Sequence, residues 1–228
     1  MSNSHKFFER CSISASLNDL AYRDYIAARF LLNNEFILQG LTLASTAVEK
    51  YLKSILVYHS TEKKNYRYHF DNIEKLKNVL SNIYDIDASF DPVFLSILRK
   101  AYKIRYYDHL KEPILIGIYL NQFIGEFDAA IHDLEIFIMK RQNGNSRFTN
   151  YWRAIDKEDP NLFKNNYLLN QQDKKEFMET PGFAFSIHIQ AGTSAIGFEK
   201  TVKSKEIAAK YEGYLAAFEE FQQEWEIK

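Results

Sequence analysis

The sequence predicts an all-α fold. An antiparallel bundle of four to five helices spans residues 15–140, and a mostly helical extension with room for a small β-hairpin occupies residues 141–228. Three observations predict it. Apolar side chains recur at helical spacing, the connections between helical segments are short and polar, and only 8 glycines and 4 prolines punctuate 228 residues. With 46% hydrophobic and 15% aromatic residues the chain can build a sizeable core.

Residues 1–14 read as a mobile N-terminus. The first helix is expected over residues 16–33, with Ser16 as its cap and Leu20, Ala21, Ile26, Ala27, Phe30 and Leu31 as its apolar positions; Asn33 and Asn34 end it. A second helix over residues 37–59 carries Leu41, Ala44, Val48, Tyr51, Leu52, Ile55 and Leu56 on one broad face. Glu49 and Lys53 read there as an exposed i,i+4 pair.

A third helix is expected over residues 70–83, through Ile73, Leu76, Val79 and Leu80. Asp91-Pro92 then opens a fourth, with the carboxylate as N-cap and proline in the first turn, running through Phe94, Leu95, Leu98, Ala101, Tyr102 and Arg105. A fifth is expected over residues 115–140. RQNGNSR, residues 141–147, is the most linker-like segment. Beyond it, residues 183–189 alternate as a strand does, and a final helix from residue 204 places Tyr211, Tyr214, Phe218, Phe221 and Trp225 on one face.

Charge and composition exclude several functions. A net charge of -1 supplies no global basic field, so any nucleic-acid site must be a local patch. A single cysteine, Cys11, rules out an internal disulfide framework and suits a reducing cytoplasm. The longest greasy run, residues 113–125, is interrupted by Asn121 and Gln122 and is too short for a bilayer span, so no membrane association is expected.

No cofactor is expected, since the glycines follow neither a dinucleotide nor a P-loop spacing. No metal is expected either. The six histidines form no close ligand pair, and Asp128 with His132 reads as a solvent-facing or internally satisfied i,i+4 pair. No serine sits in a nucleophile elbow.

The segment AYKIRYYDH, residues 101–109, sets Lys103, Arg105 and His109 among Tyr102, Tyr106 and Tyr107, just after Arg99. Arginine offers a planar fork for phosphate and tyrosine a face for a base, so Arg99, Lys103, Arg105, Tyr102 and Tyr106 are candidate ligand residues. On a continuous helix Arg105 and His109 would share a face, which suits general-base attack by a ribose 2′-hydroxyl with arginine stabilising the phosphorane. A third reading makes Arg105 a half-buried clamp, salt-bridged to Asp108 or Glu49.

Together LASTAVEKYLKSIL at residues 43–56, YHFDNIEKL at 68–76 and YKIRYYDH at 102–109 resemble HEPN domains. The resemblance covers about residues 15–137 and rests on Ala47, Glu49, Lys50, Leu52 and Lys53, then His69, then Tyr102, Arg105 and Tyr106. It implies a HEPN-like helical bundle that forms a homodimer and binds a nucleotide or RNA, with His69 added to the ligand residues. It further implies either partnership with a nucleotidyltransferase or a place in a toxin-antitoxin or defence system, opposite an antitoxin. Some members are metal-independent endoribonucleases in which a histidine follows an arginine. Here Arg105 and His109 would hold those positions, at a shorter spacing and with Tyr106 where a polar residue is common. A non-catalytic interaction module, using the apolar stripe of residues 211–225, is the remaining reading.

Overall fold

The computed structural model describes residues 3–59, 90–106, 110–141, 149–190 and 196–203. Among these the chain is mostly helical, with one small antiparallel sheet. The expected helices over residues 70–83 and from residue 204 lie outside the described residues, as do His69 and His109.

The chain divides into two compact units, each assembled from two stretches: residues 1–90 with 129–165, and residues 91–128 with 166–228. The division therefore does not run at residue 141. Side-chain bonds hold residues 149–165 to the first helix, and strand pairing holds residues 182–189 to residues 114–119.

The first unit is built on a helical hairpin, α1 (Asn3–Asn33) and α2 (Ile37–His59). α1 starts at Asn3, so the segment read as a mobile terminus is helical, and its hydroxyls explain the extension: Ser14 Oγ donates to the Ser54 carbonyl at 2.9 Å, and Ser54 Oγ to that of Ser14 at 3.0 Å. The reversal at its other end is a Schellman turn. Phe36 N bonds the Leu31 carbonyl and Glu35 N that of Leu32, with Glu35 in the left-handed region at φ 65°. Two helices leaving so tight a turn must approach closely. A Cβ on Gly40 would lie 2.7 Å from Leu32 Cγ, which only glycine avoids.

The buried face of α1 is Ala21, Tyr25, Ala28 and Leu32, one residue per turn, while Leu20 and Phe30 are 46% and 57% exposed. The expected apolar positions thus included two solvent-facing ones; small alanines, by permitting the close approach, define the seam instead. α2 buries every one of its expected apolar residues. Glu49 and Lys53 do form an ion pair, but a part-buried one, with Glu49 buried and Lys53 only partly exposed. The unit is completed by the later part of α4 (Leu120–Arg141), by α5 (Asn150–Asp156) and by the single turn α6 (Pro160–Phe163).

The second unit begins with α3 (Pro92–Ile104), opened as expected by Asp91, whose Oδ1 accepts from Phe94 N at 2.8 Å. Residues 114–119, expected within a helix, are instead strand β1 (Ile114–Tyr119), and α4 begins only at Leu120. The isoleucines at 114, 116 and 118 are β-branched and alternate, Gly117 disfavours helix, and a partner strand is available. That partner is β2 (Gly182–Ile189), which follows α7 (Lys174–Glu179). β2 pairs antiparallel with β1, placing Ile116 opposite Ile187 and Ile118 opposite Phe185, and on its other edge with β3 (Ile196–Lys203). The expected β-hairpin is thus present as two strands of three. Phe94 packs against Phe123 and Phe127, with ring centroids 5.3 and 6.3 Å away.

Leu52 is 1% exposed. Leu52→Ala should therefore destabilise the first unit by about 2–5 kcal/mol, whereas Gln39→Ala, at an exposed position of the same helix, should change little; urea unfolding of the two variants measures the difference.

Candidate functional site

The residues singled out at the end of the fourth expected helix come together at the C-terminus of α3. The helix closes at Arg105, whose backbone N–H reaches the carbonyls of Lys103 and Tyr102. The Arg105 guanidinium lies 5.4 Å from the Tyr102 ring centroid, within cation–π range. Tyr102 in turn meets Tyr106 edge to face at 6.0 Å, and Tyr106 is 52% exposed. Arg99 and Lys103, an i,i+4 pair, are both exposed, and Arg105 is half-buried.

Lys100 belongs to this group although the sequence reading passed over it. Its Nζ donates to the Leu115 carbonyl at 3.0 Å. Burial, together with the neighbouring charge of Lys103, pushes its pKa from 10.5 down to about 8. The signal was in the sequence, since Lys100 and Lys103 are three apart in RKAYK.

Positive charge at a helix C-terminus is also what the helix itself favours. The free carbonyls carry about half a negative charge, which Lys103 in the last turn can offset. Arg99, Lys100, Lys103 and Arg105 bring four cationic side chains together with Tyr102 and Tyr106 at the last turns of α3.

A second polar constellation is buried in the first unit and centres on Glu135. Its Oε1 accepts from the Tyr51 hydroxyl at 2.7 Å and its Oε2 from the Thr149 hydroxyl at 2.8 Å. Thr149 is the N-cap residue of α5, yet its side chain makes no capping bond and serves the carboxylate instead. Asn18 faces the same carboxylate and steadies its charge. Burial outweighs these bonds and lifts the Glu135 pKa from 4.5 to about 7. The Tyr51 hydroxyl, buried against that carboxylate, is pushed well above its ordinary value.

His132 of the expected Asp128–His132 pair places Nδ1 2.8 Å from the Tyr151 hydroxyl, and burial lowers its pKa so that it stays neutral at pH 7. Asp128 is fully buried in the second unit, so the solvent-facing alternative does not hold for it. Among the described residues no group of three or more His, Cys, Asp or Glu could hold a metal ion, and no helix is long and apolar enough to cross a membrane.

No protein-family model, curated protein or solved structure matches the chain.

The raised Glu135 pKa has a pH signature. The folded state holds this proton more tightly than the unfolded state between pH 4.5 and about 7, so stability should fall as pH rises through that window, by about 3 kcal/mol in total. Glu135→Gln should flatten the slope. Urea titrations followed by Trp152 fluorescence, with Trp225 replaced by Phe, measure it; an unchanged slope in Glu135→Gln would assign the dependence to other groups.

Proposed function

We propose that this chain is a HEPN-type nucleotide- or RNA-binding module whose ligand site is the C-terminal end of α3. The observation that carries the reading is the Arg105–Tyr102–Tyr106 cluster set beside the exposed side chains of Arg99 and Lys103. Contact with the Tyr102 ring limits the freedom of the guanidinium, which lessens the entropy lost when its fork meets a phosphate. The exposed Tyr106 ring offers a platform on which a base can stack. Lys100 adds a cation whose charge a bound phosphate would favour, since the anion offsets the repulsion from Lys103. In the role the HEPN resemblance implies, the module would form a homodimer and serve a nucleotidyltransferase or a toxin-antitoxin system.

Arg105→Lys tests the reading. A compact ammonium cannot reproduce the bidentate fork, so affinity for a fluorescein-labelled RNA oligomer, read by polarisation, should fall about tenfold, or ~1.4 kcal/mol, with the melting temperature unchanged. A lowered melting temperature with unchanged affinity would instead identify Arg105 as a structural clamp.

The wild-type protein incubated with RNA in chelator should leave it intact. Cleavage that disappears in His109→Ala would replace the binding module by a metal-independent endoribonuclease using Arg105 and His109.

A further inference from the structure

The sheet of the second unit has two chemically different faces, because successive side chains on a strand point to opposite sides. One face buries Ile114, Ile116 and Ile118 of β1 beside Phe185, Ile187 and Ile189 of β2. The other carries Ser186 and His188, two apart on the central strand, with Ser186 Oγ 2.8 Å from His188 Nε2. From this face we infer a further site in the protein, a serine–histidine dyad that takes the acyl group of a small, uncharged carboxylic ester onto Ser186 and hydrolyses it. The inference does not rest on the function proposed for the end of α3.

Room for a substrate lies beside the hydroxyl. The register sets Gly117 of β1 opposite Ser186 and Gly197 of β3 opposite His188, so two positions flanking the dyad carry no side chain. Glycine inside a strand weakens it, and it marks places where a ligand comes close to the backbone. Among the described residues, other than its chain neighbours, nothing lies within 4 Å of the place that a Cβ on Gly117 would take. Leu115, Gly117, Ala184 and His188 are all partly exposed, whereas Ser186 is only 4% exposed. The hydroxyl therefore sits at the floor of a trough that solvent reaches. Leu115 and Ala184 border it without charge, which favours an uncharged ester, and a gap left by a missing side chain suits a short acyl group.

The dyad supplies a nucleophile and its base. With the ring proton on Nδ1, Nε2 accepts a hydrogen bond from the Ser186 hydroxyl, the contact that a general base makes with the proton it removes. Nε2 takes that proton as Oγ bonds to the ester carbonyl carbon. The tetrahedral adduct then breaks its bond to the alcohol oxygen, which leaves with the proton from the imidazolium. Water, deprotonated by the same nitrogen, attacks the acyl-serine, releases the carboxylic acid and returns the proton to Oγ.

The test uses the full chain and two reagents. p-Nitrophenyl acetate reports turnover through nitrophenolate absorbance, and a fluorophosphonate traps an activated serine irreversibly, even where an acetyl-enzyme turns over too fast to accumulate. Peptide mass mapping of the wild-type chain should place the fluorophosphonate adduct on Ser186, and Ser186→Ala should abolish both the adduct and the hydrolysis. His188→Gln, which can keep a hydrogen bond to Ser186 but is no base, should slow both reactions about a hundredfold with the melting temperature unchanged. Adducts on lysines or tyrosines alone, no adduct at all, or rates that His188→Gln leaves unchanged would overturn the inference. Because the adduct is mapped in the wild-type chain, that result stands whether or not either variant folds.

Discussion

The buried carboxyl of Glu135 is the constraint around which the first unit is organised. A polar group that deep must find partners, and those it finds come from three other parts of the chain: Tyr51 on α2, Asn18 on α1 and Thr149 at the start of α5. Hydrophobic contact alone would let these segments slide against α4, because apolar burial has no direction. Hydrogen bonds of 2.7 and 2.8 Å do not permit such sliding. The arrangement also draws Thr149 away from capping its own helix, so a local preference is given up for a tertiary one. Arg29 makes the same kind of tie further along α1, fully buried over the Tyr25 ring and donating to the Lys164 carbonyl.

How much of this was legible in the sequence depended on whether the deciding partner was near or far. The face of α2 and the Asp91-Pro92 cap were readable, since both are set by residues a few positions apart. Strand β1 was not. ILIGIY suits a strand or a buried helix equally, and the choice was made by β2, far along the chain. On α1 the larger residues Leu20 and Phe30 resembled core more than Ala21 and Ala28 did, yet the close approach at Gly40 favours small side chains at the seam.

The candidate sites divide in the same way. Tyr102, Arg105 and Tyr106 are neighbours by helical spacing and were found from it, whereas the depressed pKa of Lys100 depends first on burial, which tertiary packing sets, and then on the neighbouring charge of Lys103. Glu135 lies among Ile131, Leu134 and Ile138, and an acid on an apolar stripe was the available hint. Its partners Tyr51 and Thr149 share no motif with it.

The interleaving of the two units bears on how the protein is made. β1 leaves the ribosome well before its partner, because the pairing of Ile118 with Phe185 spans 67 positions. At about 5–20 residues per second that is a wait of roughly 3–13 s, long compared with helix formation. During it three isoleucines stand on a strand with no neighbour, the kind of edge on which chains associate wrongly. The helical hairpin of α1 and α2 rests on contacts close in sequence and can form at once, so the nascent chain carries a folded hairpin while β1 still lacks its partner strand.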